Sequence, residues 1–132
     1  MERISVDDPR SLSRALTVLQ SGGVIVYPTE TAYGLGADAT NPDAVRKVFA
    51  IKAREEGKAI PVIVGSIEQA RQYVSFTPRA EILANAYWPG PLTLILPALD
   101  PVFARNLLAE DDIAVRVSGL AWCRELALAL GC

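Results

Sequence analysis

The sequence predicts an α/β fold in which helices cover a predominantly open sheet. Stretches with a helical spacing of apolar residues alternate along the chain with short apolar runs that favour β-strands. The 132 residues are 51% hydrophobic and 21% charged and carry a formal net charge of −2, which is typical of one soluble globular domain. Because no internal repeat, low-complexity tract or linker interrupts the chain, we expect a single domain over residues 1–132.

The first predicted elements are a helix and the strand that follows it. Asp8 is expected to cap the helix and Pro9 to be its first residue, since proline is well tolerated at that position. Gly22 is expected to close the helix, and Val24–Tyr27 is predicted to be the next strand. One face of the helix carries the apolar residues Leu12, Ala15, Leu16 and Leu19.

The middle of the chain predicts a second helix and then a strand–helix pair. Asn41 and Pro42 are expected to begin the second helix. Its core-facing residues are Val45, Val48 and Phe49. Ile60–Val64 has the composition of a buried strand. Ser66 and Gln69 have the spacing of a reciprocal capping box, which predicts a short helix through about residue 74.

The second half of the chain continues the alternation. Thr77 and Pro78 are expected to begin another helix. Two further apolar runs, Leu92–Leu96 and Ile113–Val117, have the composition of strands. Leu120–Leu130 is strongly apolar and predicts a final helix.

Composition and motif content exclude several classes of site. The sequence contains no histidine, which removes imidazole general bases, the triads that depend on them and the commonest zinc sites. Cys123 and Cys132 do not form a CxxC pair, so we expect reduced thiols. Neither a P-loop nor a GxGxxG motif is present. With no signal-peptide pattern and no apolar stretch near the roughly 20 residues of a membrane span, we expect a cytoplasmic protein.

The segment YPTETAYGLG, residues 27–36, is the strongest candidate for a ligand-binding loop. It interrupts an apolar run with a dense polar turn, and Gly34 and Gly36 permit close backbone approaches. In α/β sheets ligands commonly bind beyond the carboxyl ends of strands, where this segment is predicted to lie. Taken alone, the segment could also be a structural turn. Its candidate ligand-facing residues are Thr29, Glu30, Thr31 and Tyr33.

Three cations follow the second predicted helix. Lys52, Arg54 and Lys58 lie within seven residues, and fixed cations at a loop can bind a polyphosphate. The same cluster could instead be a solvated surface, because Glu55 and Glu56 lie between the cations and could neutralise them. The sequence leaves both interpretations open.

Arg116 lies inside an apolar predicted strand. Because side chains alternate between the two faces of a strand, this arginine must point either to solvent or into a polar cavity. In a cavity its planar guanidinium would suit a carboxylate, which it can bind through two parallel hydrogen bonds.

Taken in order, these segments resemble the YrdC/Sua5 family of threonylcarbamoyl-AMP synthases. The resemblance rests on YPTETAYGLG, on IKAR at residues 51–54, on Lys58, on WPGPLTLIL at residues 88–96 and on AVRV at residues 114–117. Family members make the activated intermediate for the threonylcarbamoyladenosine modification of tRNA. The resemblance implies a YrdC-like fold, an open twisted mixed sheet flanked by helices with a basic concave ligand cavity.

The resemblance also implies roles for individual residues. In the family, the loop matching YPTETAYGLG helps to bind threonine and the K-x-R segment binds ATP phosphates. The implied threonine-binding residues are Thr31, Arg116, Thr29 and Tyr33. The implied nucleotide-binding residues are Lys52, Arg54, Lys58, Thr93 and Ser118. Thr93 could equally be an ordinary strand threonine, and Trp88 is expected to shape the wall of the cavity.

The implied reaction joins threonine, bicarbonate and ATP. Threonine and bicarbonate form a carbamate, which attacks the α-phosphorus of ATP and releases pyrophosphate, so the enzyme is a nucleotidyltransferase. This chemistry requires charge neutralisation and alignment, so neither a covalent nucleophile nor a metal site built from side chains is expected. Mg²⁺ is expected on the ATP phosphates. The product would reach tRNA through downstream transfer proteins.

Two features depart from the family pattern. Ile63 occupies the position of a threonine-contacting histidine in some members. The chain ends at Cys132, where family members continue into a strand and an S-T-S-A-N sequence that helps to bind the substrates. We therefore expect the N-terminal two-thirds of the usual domain, an incomplete cavity and impaired activity, since small losses of positioning are costly to rate. An uncovered sheet edge would favour self-association.

Two alternatives share the same fold. One is the carbamoyl-adenylate-forming domain of HypF-type hydrogenase maturation proteins, which uses carbamoyl phosphate. The other is a non-catalytic module that binds double-stranded RNA or tRNA, whose affinity should fall steeply with salt. Substitution of Lys52 or Arg54 should weaken both ATP and RNA binding, whereas substitution of Thr31 should affect only the threonine enzyme.

Overall fold

The computed structural model describes residues 2–53, 60–99, 107 and 111–131. Within these residues five helices and five strands are interspersed along the chain. The helices are α1 (Ser11–Gln20), α2 (Pro42–Lys52), α3 (Ile67–Tyr73), α4 (Pro78–Tyr87) and α5 (Ala121–Leu130). The strands are β1 (Ile25–Pro28), β2 (Tyr33–Gly36), β3 (Val62–Val64), β4 (Leu94–Pro97) and β5 (Asp112–Val117). The pairs β1–β2, α3–α4 and β4–β5 follow one another directly along the chain.

The strands form two open sheets. In one, β1 and β2 make an antiparallel hairpin, with Pro28 opposite Tyr33. In the other, β5 lies between β3, to which it is parallel, and β4, to which it is antiparallel. The predicted mixed α/β organisation is confirmed. The predicted polar turn is present, but strand β2 was not predicted, since Tyr33–Gly36 was assigned to the loop and instead pairs with β1.

The core lies around the central strand. Ile113, Val115 and Val117 of β5 are all buried, and Ala114 between them is buried as well, so β5 is covered on both faces. Helix α5 packs against β3 and against α1, and α1 also contacts β1. The final helix therefore spans both sheets and helps to fix the hairpin relative to the central strand.

Local capping explains where α2 and α4 begin. The Asn41 side chain accepts hydrogen bonds from the backbone N–H groups of Asp43 and Ala44 at 3.0 and 3.2 Å, directly before α2. Thr77 accepts from the Ala80 N–H at 3.1 Å at the start of α4. These caps and the prolines that follow them were predicted correctly, because a cap depends on neighbours in sequence.

The first helix begins later than predicted. Asp8 caps a turn instead, since its carboxylate accepts from the Arg10 N–H at 2.8 Å and its carbonyl accepts from the Ser11 N–H at 2.9 Å. Helix α1 starts only at Ser11, so the prediction of Pro9 as its first residue is wrong. The predicted end is confirmed, because Gly22 adopts φ +83°, which favours glycine.

The predicted capping box at α3 forms only in part. Ser66 accepts from the Gln69 N–H at 3.0 Å, as expected. The Gln69 side chain does not return to Ser66; it accepts from the Gly65 N–H at 2.6 Å and donates to the Ala127 carbonyl at 3.1 Å. This buried amide therefore links the end of β3 to α5.

Among the described residues, no helix is long and apolar enough to cross a membrane.

Replacing Gln69 with leucine should lower the free energy of unfolding by about 1–3 kcal/mol. The substitution keeps the approximate size of the side chain but leaves the buried Gly65 N–H without its acceptor. Urea denaturation followed by circular dichroism measures the effect. Gln72→Leu, at an exposed position of the same helix, is the matched control. Equal stability of the two variants would contradict a linking role for Gln69.

Candidate functional site

The turn between β1 and β2 is organised by the hydroxyl group of Thr29. The Thr29 N–H donates to the Ala32 carbonyl at 2.9 Å, which closes the turn. The Thr29 hydroxyl accepts from the N–H groups of Thr31 and Ala32 at 3.3 and 3.1 Å, and its oxygen lies 3.1 Å from the Thr31 hydroxyl oxygen. Most of the hydrogen-bonding capacity of Thr29 is thus used within the turn, whereas Thr31 is exposed.

Glu30 reaches from the turn to the end of the central strand. Its Oε2 atom accepts a hydrogen bond from the Ser118 hydroxyl at 2.5 Å and another from the Gly119 N–H at 2.9 Å. The Cys123 thiol of α5 adds a second contact to the hairpin, because it donates to the Pro28 carbonyl at 3.0 Å. The hairpin turn is therefore held over the carboxyl end of β5.

Arg116 faces this turn. It lies in β5 opposite Ile63 of β3, and its side chain is only 15% exposed. Its Nη1 atom lies 3.8 Å from Oε1 of Glu30, too far for a hydrogen bond. The buried Nε atom has no hydrogen-bond partner within the described residues. The interpretation in which Arg116 points to solvent is therefore wrong, and its Nε donor is unused within the part of the chain that the structure describes.

The electrostatic environment keeps Glu30 ionised and the side chains of Tyr27 and Cys123 neutral. Burial raises the pKa of the Glu30 carboxyl, but the Ser118 hydrogen bond, backbone N–H groups and the charge of Arg116 outweigh it, so this pKa lies below its ordinary value of 4.5. Burial is the main cause that raises the pKa of Tyr27 to about 12. Burial also raises the pKa of the Cys123 thiol. Near neutral pH, Glu30 therefore faces Arg116 as a carboxylate.

The WPGP segment packs beside the same strand end. The Gly90 N–H donates to the Val117 carbonyl at 2.8 Å, and the Trp88 indole donates to the Leu92 carbonyl at 2.7 Å. A Cβ atom at residue 90 would lie 2.4 Å from the Tyr87 carbonyl oxygen, so only glycine fits there. A hollow of about 230 Å³ opens between this segment and the starts of α3 and α5. It is lined by Gly65, Ser66, Ile67, Glu68, Trp88, Pro89, Val117 and Arg124.

The structure brings together some of the predicted site residues and separates others. Thr29, Thr31, Arg116 and Ser118 form one cluster around Glu30. Tyr33 is 78% exposed at the start of β2, Thr93 is half-buried before β4, and Lys52 is exposed at the end of α2. No hydrogen bond or ion pair joins these three to the cluster within the described residues. Arg54 and Lys58 lie outside the described residues.

Two charged residues of this region have contacts that the sequence did not predict. Glu30 was predicted only to face a ligand from the loop, and no role was predicted for Arg124. The Arg124 guanidinium donates to the Ser118 carbonyl at 2.8 Å and lines the hollow. The sequence did contain a signal for Arg124, because this residue is a cation near the start of a strongly apolar helix. Ser118, the partner of Glu30, lies 88 residues away in the sequence, so no local pattern could predict this contact.

A family model named Sua5_yciO_yrdC, with the description "Telomere recombination", matches residues 17–132. The chain belongs to the Sua5/YciO/YrdC family. It is 38% identical over 124 residues to threonylcarbamoyl-AMP synthase of Vibrio parahaemolyticus, covering 92% of this chain and 67% of the relative. It is 43% identical over 128 residues to the synthase of Chromobacterium violaceum, covering 92% of this chain and 65% of that relative. It is 36% identical over 131 residues to the synthase of Bacillus subtilis, covering 98% of this chain and 36% of that relative. The chain thus spans about two thirds or less of these relatives.

Solved structures of this family share the fold. The crystal structure of P. abyssi Sua5 in complex with L-threonine matches with a TM-score of 0.83 and 34% identity, covering 98% of this chain and 37% of that one. E. coli YciO matches with a TM-score of 0.84 and 26% identity, covering 98% of this chain and 62% of the YciO chain. Full-length HypF matches with a TM-score of 0.75 over 89% of this chain and 18% of its own, but at 18% identity this shows the fold alone. The predicted YrdC-like fold is confirmed.

The ionised form of Glu30 should contribute to stability only above a low pH. Because its pKa is lowered in the folded chain, its stabilising contacts are present near neutral pH and are lost as the pH falls through that lowered pKa. The difference in unfolding free energy between the wild type and Glu30→Gln should therefore shrink below pH 4.5. Urea denaturation at pH 7 and at a series of acidic values measures it.

Glu68→Gln, on an exposed position of α3, is the matched control for this pH series. It reports the general effect of removing one surface carboxylate from the Sua5/YciO/YrdC domain. A difference for Glu30→Gln that stays constant down to strongly acidic pH would contradict the interaction of the Glu30 carboxylate with Ser118, Gly119 and Arg116.

Proposed function

We propose that this chain provides the threonine-binding part of a threonylcarbamoyl-AMP synthase. The full reaction would form threonylcarbamoyl-adenylate and pyrophosphate from threonine, bicarbonate and ATP, for the threonylcarbamoyladenosine modification at position 37 of tRNA. The observation that carries the proposal is the guanidinium of Arg116, which is largely buried, faces the Thr29–Thr31 turn and has a buried Nε donor without a partner in the described residues.

The geometry around Arg116 suits the carboxylate of an amino acid. A buried N–H group without an acceptor is costly, so a ligand that supplies one is favoured. Arginine binds carboxylates through parallel hydrogen bonds, which fix orientation as well as affinity. The exposed hydroxyl of Thr31 lies in the turn above it and is our candidate contact for the rest of the amino acid. Thr29 would shape this part of the pocket and Tyr33 its outer wall.

The nucleotide would bind through cations and hydroxyl groups. We assign phosphate binding to Lys52, Arg54 and Lys58, and contacts to the nucleotide to Thr93 and Ser118. Lys52 is exposed at the carboxyl-terminal end of α2, where a phosphate can reach it. Because the carbamate, ATP and pyrophosphate are all anionic, fixed positive charge and alignment can supply the catalysis without a covalent nucleophile.

Mg²⁺ is proposed as an ion carried by ATP. Within the described residues no group of three or more Cys, Asp or Glu side chains is placed to hold a metal ion. The described residues therefore fit a Mg²⁺ ion that is bound mainly by phosphate oxygens better than one held by several side chains. When bound, Mg²⁺ would neutralise phosphate charge and make pyrophosphate a better leaving group.

The partners follow from the reaction. We propose that the product passes to tRNA through downstream transfer proteins in the cytoplasm. Within the described residues, β1 and β3 are each paired on one side only, so their outer edges could support self-association. The HypF-type alternative rests on fold alone. The RNA-binding alternative has no support from the net charge of −2 and is retained as an outcome of the experiments below.

Threonine should bind to this chain through Arg116. Isothermal titration of threonine into the wild type should give measurable binding, strengthened by ATP and Mg²⁺. Arg116→Ala should weaken it roughly 10- to 100-fold, because a charge-assisted hydrogen-bonded pair is lost. Arg116→Lys should recover only part of the affinity, since lysine lacks the planar fork.

The control for this titration is Arg79→Ala, which removes an exposed arginine of α4. It should bind threonine like the wild type. Threonine-dependent release of pyrophosphate in the presence of bicarbonate would extend the result from binding to synthesis. Failure of the folded wild type to bind threonine would contradict the proposed function.

Substitutions of Lys52 and Thr31 should separate the nucleotide from the amino acid. Lys52→Ala should weaken ATP binding several-fold through loss of a phosphate contact and leave threonine binding unchanged. Thr31→Ala should weaken threonine binding and leave ATP binding unchanged. Fluorescence titration with an ATP analogue and calorimetry with threonine measure the two affinities. Salt-sensitive RNA binding without threonine binding would favour the non-catalytic RNA module.

A further inference from the structure

Glu30 and Arg116 form an unusual pair of charges. Both side chains are mostly removed from solvent, with exposed fractions of 21% and 15%, yet their nearest charged atoms are 3.8 Å apart. Charge-assisted hydrogen bonds between N–H donors and carboxylates are normally about 2.7–2.9 Å long. The two groups therefore attract each other without satisfying each other's hydrogen-bonding capacity.

Other contacts hold the pair in this separated arrangement. Oε2 of Glu30 takes both hydrogen bonds from Ser118 and Gly119 at the end of β5, which fixes the carboxylate. Arg116 is fixed by its place in the central strand, between the buried residues Val115 and Val117. Oε1 is then directed towards Arg116, and the Nε atom of Arg116 has no partner in the described residues.

A fixed anion beside a fixed cation matches the charges of a zwitterion. In an α-amino acid the ammonium nitrogen and the nearer carboxylate oxygen are roughly 2.7–3 Å apart, as bond lengths and angles require. The 3.8 Å between Nη1 of Arg116 and Oε1 of Glu30 therefore allows one amino acid to place its carboxylate on Arg116 and its ammonium group on Glu30. Neither Tyr27 nor Cys123 competes as an anion, because burial raises the pKa of each.

We propose that Glu30 binds the α-ammonium group of the amino acid whose carboxylate binds Arg116. Glu30 is thus a specificity-determining residue that selects α-amino acids over carboxylates without an amine. The inference rests on the proposed function and deepens it, because it assigns a partner to the nitrogen that must react. The hydrogen bonds from Ser118 and Gly119 position the carboxylate for this role.

The test compares threonine with 3-hydroxybutyrate, which keeps the carboxylate and hydroxyl groups but lacks the amine. Calorimetry with the wild-type chain should give at least 10-fold tighter binding of threonine. Glu30→Gln keeps an acceptor for Ser118 and Gly119 but removes the charge. It should weaken threonine binding at least 10-fold and leave 3-hydroxybutyrate binding equal or tighter, because a negative charge near the ligand carboxylate has been removed.

Two control variants distinguish recognition from a merely structural effect. Ser118→Ala removes one contact that positions Glu30 and keeps its charge, so it should weaken both ligands while threonine remains preferred. Glu81→Gln removes a carboxylate that pairs with Arg71 on the surface and should leave both affinities unchanged. Thermal unfolding of each variant confirms that it is folded.

The outcomes separate this inference from the proposed function. If the wild type binds threonine and 3-hydroxybutyrate equally well, or if Glu30→Gln weakens both equally, the assignment of Glu30 is overturned while threonine binding stands. If the folded wild type binds neither ligand, the proposed function fails with it. If Glu30→Gln does not fold, the wild-type preference between the two ligands and its retention in Ser118→Ala decide the question.

Discussion

The hydrogen bonds from Ser118 and Gly119 to the Glu30 carboxylate are the contacts on which the candidate site depends. The hairpin of β1 and β2 forms no ladder with the sheet of β3, β5 and β4 in the part of the chain that the structure describes. The turn therefore needs side-chain contacts to hold it over β5. Glu30 supplies them, and the Cys123 thiol adds a weaker one through the Pro28 carbonyl.

This arrangement explains how a largely buried arginine is accommodated in the central strand. A charge removed from water is costly unless an opposite charge or hydrogen bonds compensate. Glu30 lies close enough to offset the charge of Arg116 but too far to take its hydrogen bonds. Compensation is thus incomplete, and an anionic ligand would complete it. The same anchoring that joins the two sheets therefore also prepares the site for a ligand.

Several backbone groups at the carboxyl ends of the parallel strands have partners in the adjoining helices and loops. Gln69 binds the Gly65 N–H and joins it to α5, Arg124 binds the Ser118 carbonyl, and Gly90 donates to the Val117 carbonyl. Such contacts satisfy polar groups where strand pairing stops, which buried backbone requires. They also leave the hollow beside Trp88 open, in a fold where ligands bind at strand ends.

The sequence by itself determined features that depend on near neighbours or on motif order. The caps at Asn41 and Thr77, the end of α1 at Gly22 and the existence of every helix and strand except β2 followed from local hydrogen bonding and periodicity. The family also followed, from four motifs in order. Tertiary structure decided which way Arg116 points, what Gln69 binds and that Glu30 meets Ser118. Those choices join residues far apart in sequence, and hydrophobic spacing carries no information about which distant polar groups will meet once the chain is packed.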